Sequence, residues 1–133
     1  MEVSSMEQKT ATLQVVEKDT YMILEFSGHL QYALIEELKK RLQTTPFKEG
    51  RSFILDMSKV QNIDSTGFGM IVNFAKKVSL KNEKIVIIIV DEFVRKLFSI
   101  SQCDKIFPIV ESETAALEVI KQSVETELSV NDY

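Results

Sequence analysis

Nucleophilic catalysis needs a hydroxyl or thiol beside a proton acceptor, and this chain supplies few such parts: His29 is its one histidine and Cys103 its one cysteine. No residue pair has a spacing diagnostic of a nucleophile with its base. A lone histidine is more often a surface or strand-end residue. A small enzyme built on His29 or Cys103 would require a pocket that brings one of them beside Ser65 or a carboxylate. One His and one Cys also make a poor transition-metal site, so no metal is expected. The single thiol can form no intrachain disulfide and reads as a small buried hydrophobe.

Two further patterns bear on chemistry. Gly67-Phe68-Gly69-Met70-Ile71-Val72 repeats the first two glycines of a dinucleotide fingerprint, but Val72 stands where the third small residue belongs, and no phosphate-binding loop ending in Lys-Ser/Thr occurs. The segment reads as lying after a loop rather than at a strand end. No cofactor is expected. Asp64-Ser65-Thr66, directly before it, places three side chains able to cap a helix ahead of two glycines. Caps alone explain such residues, each satisfying an N–H that the first turn leaves unpaired. The glycines add something, since each lowers helix propensity by about 1 kcal/mol and is tolerated where a backbone must be approached closely by a ligand or partner. A phosphate on Ser65 would lie at the positive end of that helix, facing free N–H groups.

The elements that position this segment follow from hydrophobic periodicity. Leu13–Glu17 and Tyr21–Phe26 are β-rich runs separated by Lys18-Asp19-Thr20, a hairpin opening the domain, with Gly28 closing the second strand. Leu34, Ile35, Leu38 and Leu42 mark an amphipathic helix with Pro46 beyond its end. Phe53–Met57 and the aliphatic run Ile85–Val90 read as strands covered on both faces. Between them Phe68, Ile71, Val72, Ala75 and Val78 recur at helical spacing. A third helix begins after Asp91 and carries Phe93, Val94, Leu97 and Phe98, with Arg95 and Lys96 outward. A strand over Ile106–Val110 follows, confined to a sheet edge or a bulge by Pro108. Ser112 then caps a last helix bearing Ala116, Leu117, Ile120 and Val124. The order β-β-α-β-α-β-α-β-α predicts an α/β fold with a mixed, largely parallel sheet and helices packed against it.

The chain's 133 residues suit one domain, and 44% hydrophobic with 27% charged residues is ordinary globular composition. Residues 1–10 and 125–133 lack apolar periodicity and read as flexible termini around a domain spanning 11–124. A formal charge of −4 argues against a general nucleic-acid binder. No segment approaches the roughly 20 apolar residues of a membrane span, and no leader pattern opens the chain, so the expected location is cytoplasmic.

Asp64-Ser65-Thr66-Gly67-Phe68-Gly69, preceded by Ile54-Leu55-Asp56-Met57-Ser58, resembles the STAS domains of bacterial anti-sigma factor antagonists. Val94-Arg95-Lys96-Leu97-Phe98, with Ser101 and Ile106, is similar to that family's third helix and last strand, and the element order agrees over about residues 11–124. The resemblance implies a protein that binds an anti-sigma factor when unphosphorylated and so releases a sigma factor. The anti-sigma factor is commonly a serine kinase acting on the first hydroxyl residue of the motif, here Ser65, and a serine phosphatase restores binding. ATP then belongs to the kinase, and this chain is substrate rather than enzyme. Asp64, Thr66, Gly67, Phe68 and Gly69 form the expected partner-binding loop around Ser65, with Phe68 read as a partly exposed docking contact. Where the family often has Gly-Glu-Leu-Asp, this chain has Gly28-His29-Leu30-Gln31, which leaves open surface variation or a changed partner. A STAS binding or scaffold module outside sigma control, in a transport or signalling complex or sensing a small ligand, is the alternative.

Overall fold

The computed structural model describes residues 9–44, 50–81 and 83–131, with side chains as far as Gln122. The expectations for residues 1–8, for Pro46 and for 132–133 lie outside the described residues. Strand β1 (Ala11–Glu17) turns back into β2 (Tyr21–Leu30), and a 3₁₀ turn (Tyr32–Leu34) leads into α1 (Glu36–Thr44). Then follow β3 (Ser52–Ile63), α2 (Ser65–Leu80), β4 (Ile85–Ile88), α3 (Glu92–Ile100), a second 3₁₀ turn (Cys103–Lys105), β5 (Ile109–Val110) and α4 (Glu113–Asn131).

The strands form one sheet in the order β1-β2-β3-β4-β5. The first pair is antiparallel and the remaining three are parallel. Each parallel connection steps to the next strand in the same direction, so right-handed crossovers must place α1, α2 and α3 on one face. The side chains bear this out by strict alternation. Met22, Leu24, Phe26, Phe53, Leu55, Met57, Ile85, Ile87 and Ile89 enter the main core with Leu38, Leu42, Ile71, Ala75 and Phe98 from the three helices. Ile23, Ile54, Val86 and Ile88 point the other way and meet Ala116 and Ile120 of α4. Strands β3 and β4 are thus covered on both faces, which accounts for their unbroken apolar runs.

Several boundaries differ from expectation. β4 stops at Ile88, and Val90 is exposed. The strand expected over Ile106–Val110 is only Ile109–Val110, because the chain leaving α3 spends Cys103–Lys105 in a 3₁₀ turn. Pro108 lies just ahead of that edge strand, where its missing N–H is not needed and its carbonyl accepts from the Ile87 N–H at 2.9 Å. Leu34 falls in the 3₁₀ turn, so α1 begins at Glu36. Phe93, expected on the inner face of α3, is exposed. Cys103 is buried, as read.

β3 is much longer than expected and bends. Its pairing with β2 slips between Glu25↔Asp56 and Ser27↔Lys59, and again between Gly28↔Val60 and His29↔Asn62, so β3 carries an extra residue each time. At the first slip the buried Asp56 carboxylate accepts from the Ser58 N–H at 2.9 Å and the Ser58 hydroxyl at 2.6 Å. These bulges set Leu30 opposite Ile63, bringing the ends of β2 and β3 level. Gly28 does not close β2; the strand continues to Leu30, and Gly28 sits within it at φ +88°.

The α4 backbone is helical to Asn131, so the helix runs past the boundary drawn at 124. Ser112 caps it, its hydroxyl accepting from Ala115 N–H at 3.1 Å. Among the described side chains of α4, Ala116 and Ile120 enter the buried core. Because residues 125–133 lack apolar periodicity, deleting them is expected to lower the thermal midpoint by less than about 3 °C. Ile120→Ala should instead cost about 2–4 kcal/mol. A deletion as damaging as Ile120→Ala in thermal unfolding would place the domain boundary beyond 124.

Candidate functional site

The site begins where β3 ends. A single residue, Asp64, with extended backbone (φ −108°, ψ −177°), separates Ile63 from α2. No loop intervenes, contrary to expectation. Asp64 is the N-cap: its Oδ1 accepts from the Gly67 N–H at 2.9 Å, and its carbonyl accepts from Phe68 N–H at 2.8 Å. Its other oxygen, Oδ2, accepts from the Tyr32 N–H at 2.9 Å. One carboxylate therefore joins the first turn of α2 to the turn that follows β2. Both bonds favour the ionised form, the one from Gly67 most, and hold the carboxyl below its ordinary pKa.

Thr66 was expected to share the capping. Neither its hydroxyl nor that of Ser65 holds a hydrogen bond among the described residues, because Asp64 already occupies the Gly67 N–H. Ser65, the first helical residue, is exposed; Thr66 and Gly69 are partly exposed.

The two glycines divide. Gly67 is buried, and a Cβ there would stand 2.0 Å from the Leu30 carbonyl oxygen. That same carbonyl accepts from Asp64 N–H at 3.1 Å. The close approach that Gly67 permits is thus made by the protein's own backbone, not by a partner. A Cβ on Gly69 would meet nothing within 4 Å, so its surface stays open. Phe68 is intermediate: its ring packs edge-on against the fully buried Phe98, centroids 4.9 Å apart at 79°, while part remains exposed. It joins α2 to α3 as well as contributing to the surface.

The flanking segment departs from expectation in what it presents. His29 Nδ1 lies 2.9 Å from Asn62 Nδ2, so its side-chain partner is an amide, neither a hydroxyl nor a carboxylate. Cys103 is packed in the main core. No group of three or more metal-ligating side chains occurs among the described residues. The sheet order never reverses, so no crevice opens between oppositely directed crossovers, where α/β folds usually take small ligands. Tyr32, which sequence reasoning passed over, is 74% exposed beside the cap. The available signal was its place directly after Gln31, within the segment that already stood out.

The contrast between the glycines is testable. Gly67→Ala should lose about 1–3 kcal/mol through overpacking against Leu30, whereas Gly69→Ala should gain up to about 1 kcal/mol of helix propensity; urea denaturation reads both. Because the folded state lowers the Asp64 pKa, its contribution is complete above the unfolded value near 3.9 and lost as pH falls through the folded one. Asp64→Asn should therefore flatten the midpoint-versus-pH curve below about pH 4. An unchanged acid limb would deny Asp64 its cap role.

Comparison with known proteins gives this geometry a family. The model of the STAS domain matches residues 12–116. The putative anti-sigma factor antagonist BtrV of Bordetella bronchiseptica is 27% identical over 106 residues, covering 80% of this chain and 91% of BtrV. Among solved structures, an anti-sigma factor antagonist from Mycobacterium paratuberculosis superposes with a TM-score of 0.74 at 17% identity, covering 84% of this chain and 94% of that one. The fold also matches part of the murine anion transporter Slc26a9, with a TM-score of 0.64 at 16% identity, covering 90% of this chain but 23% of the transporter. Among the described residues no helix is long and apolar enough to cross a membrane. With the family model spanning most of its length, the chain belongs to the STAS domain family.

Proposed function

We propose that this protein is an anti-sigma factor antagonist, a non-enzymatic cytoplasmic switch that binds an anti-sigma factor through the face around Ser65 and is turned off by phosphorylation of that serine. The observation that carries the reading is the exposed, unbonded Ser65 hydroxyl at the first position of a helix whose cap is supplied by its neighbour. A kinase can reach such a hydroxyl without unfolding anything. The likeness to BtrV over most of both chains supports the same assignment. The partner is an anti-sigma factor acting as a serine kinase, with a phosphatase to reverse it.

Charge alone lets one modification suffice. A phosphate adds about −1.5 to −2 charge at neutral pH. Asp64 already takes the Gly67 N–H and, more weakly, draws on that of Thr66, so the positive end of α2 and the surrounding water offset the new charge in the free domain. The free domain tolerates this. At a docked surface, an additional charge left unpaired costs about 2–5 kcal/mol, roughly thirty-fold to several-thousand-fold in affinity.

Ser65→Ala is expected to bind the anti-sigma factor yet accept no phosphate, and Ser65→Asp to stay folded but bind poorly. Thr66→Ala should still be phosphorylated, since its hydroxyl holds no structural bond. Intact mass after co-expression with the kinase, together with pull-down of each variant, decides it. Phosphate on Thr66 alone, or full binding by Ser65→Asp, would rule the mechanism out.

A further inference from the structure

Tyr32 is a large aromatic residue left 74% exposed, yet its backbone is bonded into the site. It sits between Leu30 and Ile35, which are 0% and 1% exposed and anchor the segment on both sides. Within the segment, Gln31 N–H donates to the His29 carbonyl at 2.9 Å and Leu34 N–H to the Gln31 carbonyl at 2.8 Å. The Tyr32 N–H itself is bound by the Asp64 carboxylate, the group that caps the helix opening with Ser65. An exposed aromatic on a pre-set turn loses little conformational entropy on binding, which is what distinguishes an anchor residue from an incidental surface ring.

The surroundings say what kind of contact this is. The residues next to Tyr32 along the segment, His29, Leu30, Gln31 and Ala33, include no acidic or permanently cationic group, and the exposed carboxylates of Glu36 and Glu37 follow at the start of α1. Asp64, the carboxylate bonded to the Tyr32 N–H, has both oxygens engaged by backbone N–H groups. The exposed ring is the apolar area this turn offers a partner to bury, with neutral hydrogen-bonding groups of His29 and Gln31 on the same segment.

We propose that Tyr32 is the aromatic anchor of the docking face, its ring filling an apolar pocket on the protein partner that recognises Ser65. This rests on the reading that an anti-sigma serine kinase docks there, and it names the residue and the chemistry by which that partner is held. Tyr32 and Ser65 then share one rigid frame, so the partner that seats the ring has the serine beside it.

The test titrates wild-type protein, Tyr32→Ala, Tyr32→Phe and Ile100→Ala against the anti-sigma kinase that phosphorylates Ser65, with ADP present so that no phosphate is transferred. Ile100 is the control, being 75% exposed at the opposite end of α3. Tyr32→Ala should weaken binding about thirty-fold or more with an unchanged thermal midpoint. Tyr32→Phe and Ile100→Ala should stay within about threefold of wild type. Binding by Tyr32→Ala equal to wild type, or a Tyr32→Phe loss as large as that of Tyr32→Ala, overturns the anchor while leaving the function intact. Failure of the wild-type protein both to bind the kinase and to be phosphorylated at Ser65 instead removes the functional reading, and the anchor with it.

Discussion

The Asp64 carboxylate is the point on which the arrangement of the site depends. A capping residue ordinarily satisfies donors of its own helix. Here one oxygen does so at Gly67, and the other reaches the Tyr32 N–H on a separate element. The reach is short because the Leu30 carbonyl both accepts from the Asp64 N–H and lies where a side chain on Gly67 would be. Leu30 in turn is level with Ile63 only because β3 bulges twice. Strand register, a missing Cβ and a buried leucine thus combine to put two backbone N–H groups within range of one carboxylate.

That constraint produces a surface rather than a pocket. All parallel crossovers step in one direction, leaving α1, α2 and α3 side by side on one face and no gap at the strand ends. Residues emerging there, Tyr32 after β2 and Ser65 after β3, are presented outward on rigid backbone. Such geometry favours recognition by another protein over enclosure of a small molecule. It also accounts for the open side of Gly69, where α2 offers its backbone without a side chain.

Element order and sheet type were legible because each element carries its own period. The two-sided burial of Phe53–Met57 and Ile85–Ile88 and the helical spacing from Phe68 to Val78 are local signals. Asp64-Ser65-Thr66 was legible as a helix start for the same reason, but which residue caps was not. That choice is settled by Tyr32, 32 positions away, whose N–H claims the second Asp64 oxygen. Gly67 was read as room for a partner because the sequence contains no trace of the Leu30 carbonyl pressing on it. The bulges of β3 were equally hidden, since Asp56 and Ser58 hold their bend by a side-chain bond that periodicity does not register. Phe93 followed the helical pattern yet lies outside, because the stripe that α3 packs on the core runs through Val94, Leu97 and Phe98 and Phe93 stands to one side of it. The cap and Gly67 were missed because both depend on contacts between elements distant in sequence.

The division between rigid frame and exposed side chain also bears on how a switch can work in a domain this small. Moving an element to signal a modification would disturb the main core, because α1, α2 and α3 share it with the sheet. A charge placed on Ser65 needs no such movement. It falls beside a carboxylate whose position is fixed from two directions, so the two charges cannot separate by a local shift of Asp64 without breaking the cap. Repulsion confined in this way is felt by whatever approaches the surface, while water and the first-turn N–H groups of α2 moderate it in the free protein. The proposed regulation would then be electrostatic and local, and the fold's part in it is to keep Asp64 still.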